Sequence, residues 1–193
     1  MLKRLLPAAA LIIVATAPAF AHVGVGDTAS FTAGFEHPLF GLDHVTVMIA
    51  AGLWAALKGG RALWVWPATF VGIMLAGGAL GMAHVSMPFV EPAILASVVA
   101  LGLLVALAVE LPVWVGAVII GGFAIFHGHA HGMEVPENAS GIAYMAGFAL
   151  ATAFLHAIGI GFGILVGQRW RGLARLSGAA CAAIGVGLIA GAI

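Results

Sequence analysis

Long apolar stretches alternate with short polar ones from about residue 37 to residue 193. A window of roughly 19 residues finds about six such stretches. Each is long enough to cross the hydrocarbon core of a bilayer as an α-helix. The short polar connections predict an all-α fold, a polytopic helical bundle with about six transmembrane helices in one domain of residues 22–193. The predicted spans are residues 37–57, 62–82, 89–110, 112–131, 139–167 and 173–193.

The first 21 residues have the pattern of a secretory signal peptide. Lys3 and Arg4 precede an apolar run, and Ala19-Phe20-Ala21 matches the small-x-small cleavage pattern. Cleavage there would leave His22 as the first mature residue, whose free amine and imidazole can together chelate a metal ion. An uncleaved first transmembrane helix is the alternative, although the apolar run is short for a span and is interrupted by proline.

Composition excludes several classes of protein. The chain is 63% hydrophobic and 7% charged, with a mean hydropathy of +1.18, so a soluble globule of this size could not bury its apolar surface. The lipid bilayer is therefore its expected partner. A net charge of zero with seven basic residues leaves no positive stripe for nucleic acid, and the lone Cys181 has no disulfide partner in the chain.

The positions of the cations predict the orientation. If the mature N-terminus lies outside, every basic residue after the signal falls on the cytoplasmic side, as the positive-inside rule requires. We therefore expect a multi-pass protein of the bacterial inner membrane with a periplasmic N-terminus. These cations are Lys58, Arg61, Arg169, Arg171 and Arg175.

Metal-ligand side chains cluster at the start of the first predicted span, at His37, Asp43 and His44. Pro38 suits the first position of a helix, so His37 and His44, seven residues apart, would share one helical face. Asp43 is either a direct ligand or a carboxylate that orients an imidazole. Met48, one turn further on, offers a thioether, although membrane methionines usually serve packing. The alternative is a set of capping and interfacial polar groups.

A second cluster ends the fourth predicted span. His127, His131 and Glu134 follow i, i+4, i+7 spacing and would form one stripe, whereas His129 would point elsewhere. Glycine follows both His127 and His131, which would let a neighbouring helix approach. An unstructured histidine-rich surface patch is the alternative reading.

Three further polar residues lie in or beside the apolar stretches. His84 begins a predicted outer loop, and Glu110 lies at the inner end of the third span as an exit-side cation contact or an interfacial glutamate. His156 lies near the middle of the fifth span, where an imidazole serves as a relay or as a hydrogen-bonding packing residue.

Imidazole and carboxylate are ligands that divalent transition metals prefer, but the Irving–Williams order leaves the metal open among nickel, cobalt, zinc, iron and copper. No phosphate-binding Gly-x4-Gly-Lys-Ser/Thr pattern is present, so any transport would be secondary or facilitated. Three rival classes use similar residues: a membrane-embedded metalloenzyme of the di-iron type, a b-type haem protein, and a metal-binding accessory subunit without transport.

Two motifs resemble a known family. His37-x5-Asp43-His44 and Phe126-His-Gly-x-Ala-His-Gly-x-Glu134 are similar to the signature motifs of the HupE/UreJ proteins, which are implicated in nickel uptake for hydrogenase and urease maturation. The resemblance extends from about His22 onward. It implies a non-enzymatic permease with Ni²⁺ as substrate. The donor chemistry leaves Co²⁺ or Zn²⁺ possible, and we expect no permanent cofactor. A homo-oligomer is compatible with it. By resemblance, the metal-pathway residues are His37, Asp43, His44, His127, His131 and Glu134.

Overall fold

The computed structural model describes residues 27–166 and 170–193. Within these ranges the chain forms α-helices joined by short turns, which confirms the all-α prediction. The predicted signal peptide, His22 and Arg169 lie outside the described residues. The helices are α1 (Asp27–Phe40), α2 (Leu42–Lys58), α3 (Ala62–Met82), α4 (Val90–Ala106), α5 (Val113–Met133), α6 (Gly141–Val166) and α7 (Arg171–Ile189).

Several of the described helices have the length and hydropathy of membrane spans. Four of them, α3, α5, α6 and α7, are each long and apolar enough to cross a bilayer, and α1 with α2 adds a fifth if this bent pair is one span. Helix α4 is apolar but has 17 residues, slightly fewer than a straight crossing needs. The protein is therefore a membrane protein, and its crossing by six helices stays a prediction.

The expected start of the first span at Pro38 is wrong. Helix α1 begins at Asp27 and carries Pro38 near its end. The chain then breaks at Gly41, where α1 and α2 meet at 81°. The extended backbone at Gly41 interrupts the helix, and glycine is a weak helix former, so α1 ends at Phe40 and α2 begins at Leu42. His37 and His44 consequently lie on successive helices and do not share one helical face.

Glycines determine how closely the helices approach. A Cβ atom on Gly128 of α5 would overlap the carbonyl group of Met74 on α3, and one on Gly77 of α3 would overlap the carbonyl group of Ile125 on α5. Helix α6 meets α2 in the same way, through Gly159. Because lipid provides no hydrophobic drive between helices, such backbone contact is a main source of packing energy. It also places the end of α5 against its neighbours.

Two tryptophans close the bundle at the end where α2 finishes and α3 starts. The rings of Trp54 and Trp66 lie 4.2 Å apart between centroids, and both side chains are about 1% exposed. Trp54 Nε1 donates to the Val109 carbonyl at 2.9 Å, and Trp66 Nε1 donates to the Val113 carbonyl at 2.8 Å. These bonds hold the turn between α4 and α5, which contains Glu110, against the core.

Candidate metal centre

The six residues of the two sequence motifs meet at one end of the bundle. They come from α1, from the first turn of α2 and from the last turns of α5, with Glu134 directly after α5. Each is within hydrogen-bonding or ion-pair distance of another. We call this group the histidine cluster: His37, Asp43, His44, His127, His131 and Glu134.

His44 is the centre of the cluster. Its Nδ1 atom lies 3.0 Å from Asp43 Oδ2, and a carboxylate can only accept, so Nδ1 carries the proton. The other ring nitrogen, Nε2, therefore presents a lone pair. This atom lies 2.5 Å from His131 Nε2 and 3.3 Å from His127 Nδ1.

Ser97 of α4 determines the tautomer of His127. The hydroxyl of Ser97 donates to the Ile94 carbonyl at 2.5 Å, and the same oxygen lies 2.9 Å from His127 Nε2. Since the hydroxyl proton is already used, Ser97 accepts the bond and His127 Nε2 donates it. His127 Nδ1 is left with a lone pair facing His44.

His131 completes the arrangement. Its Nδ1 atom donates to Glu134 Oε2 at 2.8 Å, so its Nε2 atom also presents a lone pair to His44. His127 and His131 thus each direct an unprotonated nitrogen at Nε2 of His44, while the opposite nitrogen of each of the three rings is bound to an oxygen acceptor. A cation between them would remove the repulsion of these lone pairs, and histidines that bind metals are commonly oriented by such acceptors.

A second group of ligand atoms lies toward the surface. One ligand atom each from His37, His131 and Glu134 fall within 4.8 Å of one another. His37 Nε2 is 3.3 Å from Glu134 Oε2, and their side chains are 40% and 51% exposed. Hydrogen bonds from His131 and His37 hold the pKa of Glu134 well below its usual range. Glu134 is therefore a carboxylate at neutral pH.

His37 and Glu134 are far more exposed than the three inner histidines. His131 is 3% exposed, His44 5% and His127 0%. The ring of Phe148 on α6 stacks on His131, with 4.5 Å between centroids, and lies 6.0 Å from His44. The cluster therefore runs from half-exposed oxygen and nitrogen donors to fully buried nitrogen donors.

Comparison with known proteins assigns the family. The model of the family described as HupE / UreJ protein matches residues 9–188. The chain is also 45% identical to "Protein HupE" of Rhizobium leguminosarum bv. viciae over 176 residues, which is 90% of this chain and 92% of that protein. The chain belongs to the HupE/UreJ family. No solved structure matches it.

Membership of the HupE/UreJ family confirms the non-enzymatic prediction, because these proteins are membrane proteins of the accessory or permease type. The resemblance found from the two sequence motifs is likewise confirmed. In this HupE/UreJ protein the motifs, which are more than 80 residues apart in sequence, form one continuous cluster.

The other predicted residues lie apart from the cluster. His129 points away, as its helical position predicts, and its Nε2 donates to the Val85 carbonyl at 2.6 Å. His84 is exposed in the turn after α3, and Glu110 lies at the opposite end of the bundle. Met48 is fully buried one turn beyond His44, and His156 is buried further along α6.

Ser97 is the residue that the sequence reasoning missed. It is a lone hydroxyl in the apolar run of α4, and it is 0% exposed. A buried hydroxyl needs a partner. A single hydroxyl in an apolar helix therefore indicates that Ser97 has a hydrogen-bond partner. Only the packing of α4 against α5 identifies that partner as His127.

Proposed function

We propose that this HupE/UreJ protein takes up a divalent transition metal ion across the bacterial inner membrane by secondary or facilitated transport. The family resemblance favours Ni²⁺ as substrate, and Co²⁺ and Zn²⁺ suit the same donors. The observation that supports the proposal best is that the lone pairs of His127 and His131 both face that of His44, each ring having its opposite nitrogen hydrogen-bonded to an oxygen acceptor.

In this proposal the three buried imidazoles are the ligands, and Asp43, Ser97 and Glu134 orient them. Two ligands at right angles around an ion with bonds of about 2.1 Å lie about 3.0 Å apart. His44 Nε2 and His131 Nε2, now 2.5 Å apart, would separate by roughly half an ångström to admit the ion.

The contrast in burial between His37 and Glu134 on one side and the inner histidines on the other supports an order of events. His37 and Glu134 capture the hydrated ion, because their half-exposed donors are the first that it meets. His131 belongs to both the surface group and the buried group, so it passes the ion to His44 and His127. Imidazoles can replace the water ligands of the ion but bind it less strongly than thiolates do. This suits transport, because conduction requires ligands that also release the ion.

The charge distribution supports a periplasmic position for the cluster. Lys58, Arg171 and Arg175 line one pocket with Glu110, at the end of the bundle away from the cluster. By the positive-inside rule, that end faces the cytoplasm. The proposal retains residues 1–21 as a cleaved signal and residues 22–193 as one domain, with His22 as a further donor on the periplasmic face.

Uptake of radioactive Ni²⁺ into proteoliposomes tests the proposal. We expect time-dependent accumulation with the wild type and none with His44→Ala, and competition by unlabelled Co²⁺ and Zn²⁺ ranks the substrates. Ni²⁺ binding to the purified protein without accumulation would make it an accessory subunit and overturn transport. Absence of both binding and accumulation would overturn the metal site itself.

A further inference from the structure

His156 is a buried imidazole whose hydrogen-bonding capacity is unused. Its side chain is 1% exposed, and within the described residues neither Nδ1 nor Nε2 has a hydrogen-bond partner. A buried polar group without a partner destabilises the fold. Both ring nitrogens of His156 therefore lack a partner, whereas His44, His127 and His131 each have one ring nitrogen bound to an oxygen acceptor.

Helix α6 connects His156 to the cluster. Phe148, Thr152 and His156 are spaced four residues apart, so they lie along one face of α6, and all three are buried. Phe148 stacks on His131, and His156 therefore lies about 12 Å further along the helix axis. Between them, the Thr152 hydroxyl donates to the sulfur of Met74 at 3.6 Å.

Phe70 separates His156 from the cluster. Its ring centroid is 5.7 Å from that of His127 and 5.0 Å from that of His156, and its side chain is fully buried. A single aromatic side chain thus stands between the most buried histidine of the cluster and an imidazole with free nitrogens.

We propose that His156 is an inner binding point for the transported cation, occupied after the ion leaves the histidine cluster and passes Phe70. This inference rests on the proposed function. The ligand is a dehydrated divalent ion of borderline softness, since the nearby donors are an imidazole, a thioether and a hydroxyl. Met74 and Thr152 provide weak contacts between the two points, and rotation of the Phe70 ring opens the passage.

Two substitutions separate ligation from packing. His156→Phe keeps an aromatic ring but removes both nitrogens, and His156→Gln keeps hydrogen-bonding atoms but is a poor metal ligand. We expect both variants to lose at least tenfold in the initial rate of Ni²⁺ uptake into proteoliposomes. Equilibrium binding of Ni²⁺ should stay within twofold of wild type, because the histidine cluster is intact. The Tm of His156→Phe should equal or exceed that of wild type, because an unsatisfied polar group is removed.

Phe154→Ala is the matched control. It lies on the same helix two residues away, is 53% exposed and has no polar atom. Its uptake should equal that of wild type. If His156→Phe takes up Ni²⁺ at the wild-type rate, His156 serves only packing and the proposal is overturned. Wild-type uptake by His156→Gln alone would replace ligation with a hydrogen-bonding role and would equally overturn it.

A measurement without transport distinguishes this inference from the proposed function. In protein with ¹⁵N-labelled histidine, the His156 resonances are those missing from the spectrum of His156→Phe. Saturation with Zn²⁺, a diamagnetic probe, should shift them together with the resonances of the cluster. A shift of the His156 resonances in a protein that takes up no metal would overturn transport and retain the inner binding point. His156 resonances that do not move would overturn the inner binding point.

Discussion

The Nε2 atoms of His44 and His131 face each other at 2.5 Å, although the two residues are 87 positions apart in the chain. In both rings the Nδ1 atom is bound to a carboxylate, of Asp43 and of Glu134 respectively. The two rings therefore cannot satisfy each other as donor and acceptor while both remain neutral. A cation is the natural partner of the pair.

Removal of a buried ligand should abolish function without loss of the protein. We expect His44→Ala and His127→Ala to lower Ni²⁺ uptake to background while membrane levels stay normal. His129→Ala, on the same helix but hydrogen-bonded to the Val85 carbonyl, should have a milder effect. Uptake in cells and immunoblots of membranes measure both quantities. An equal loss in all three variants would contradict the assignment by helical face.

Loss of an orienting acceptor should weaken binding. Ser97→Ala removes the acceptor that holds the tautomer of His127, and changes to such partners typically cost about 10- to 100-fold in metal affinity. Ser177→Ala is the control, because Ser177 also bonds to a carbonyl of its own helix, that of Leu173, at a distance from the cluster. Isothermal titration with Ni²⁺ compares the two. Equal affinities would show that Ser97 does not act through His127.

Uptake should decrease as the external pH falls from about 7 to about 5, because protons compete with the metal for imidazole nitrogens. Glu134 does not contribute to this decrease, since hydrogen bonds from His131 and His37 hold its pKa below the ordinary value of 4.5. The initial rate of uptake in vesicles at a series of external pH values measures the effect. A flat profile would contradict ligation by histidine.

The same lowered pKa predicts how Glu134 affects stability. A carboxylate whose pKa is lower in the folded state stabilises the fold above its unfolded pKa and loses that contribution as the pH falls through the folded value. The effect of Glu134→Gln on Tm should therefore be constant between about pH 5 and 7 and diminish only under more acidic conditions. A difference that already diminishes near pH 6 would contradict the lowered pKa.

The close packing of α3 against α5 depends on the glycine at position 128. In Gly128→Ala the added methyl group would overlap the Met74 carbonyl, so α5 must shift and carry His127 and His131 with it. Overpacking of this kind costs about 1–3 kcal/mol. Gly122→Ala, on the same helix with no atom within 4 Å of the added carbon, should leave Tm unchanged or raise it. Thermal unfolding in detergent compares them, and equal Tm values would refute the close contact.

The orientation can be tested by labelling. In a Cys181→Ala background, Glu137→Cys lies in the exposed turn after α5, and Arg61→Cys lies between α2 and α3. A membrane-impermeant maleimide added to spheroplasts should label position 137 and not position 61, if the basic end is cytoplasmic. Labelling of position 61 alone would show that the orientation is the reverse of the proposed one, with the cluster facing the cytoplasm.

Sequence reasoning predicted several helices closely, because membrane helices are set by apolar length and by polar turns. The predicted span of residues 62–82 coincides with α3, and the span of residues 139–167 is close to α6. The stripe of His127 and His131, and the divergence of His129, also follow from helical geometry alone. None of these features requires knowledge of a neighbouring helix.

The contacts between helices could not be predicted from the sequence and were found only in the tertiary structure. The break at Gly41, the bond from His127 to Ser97 and the position of Phe70 between His127 and His156 depend on which helices pack together and how closely. Hydropathy and periodicity describe each helix relative to lipid, whereas partner choice in lipid depends on interlocking surfaces of small residues. The sequence therefore determined the spans and the ligand chemistry, and the packing of the helices decided which donors meet.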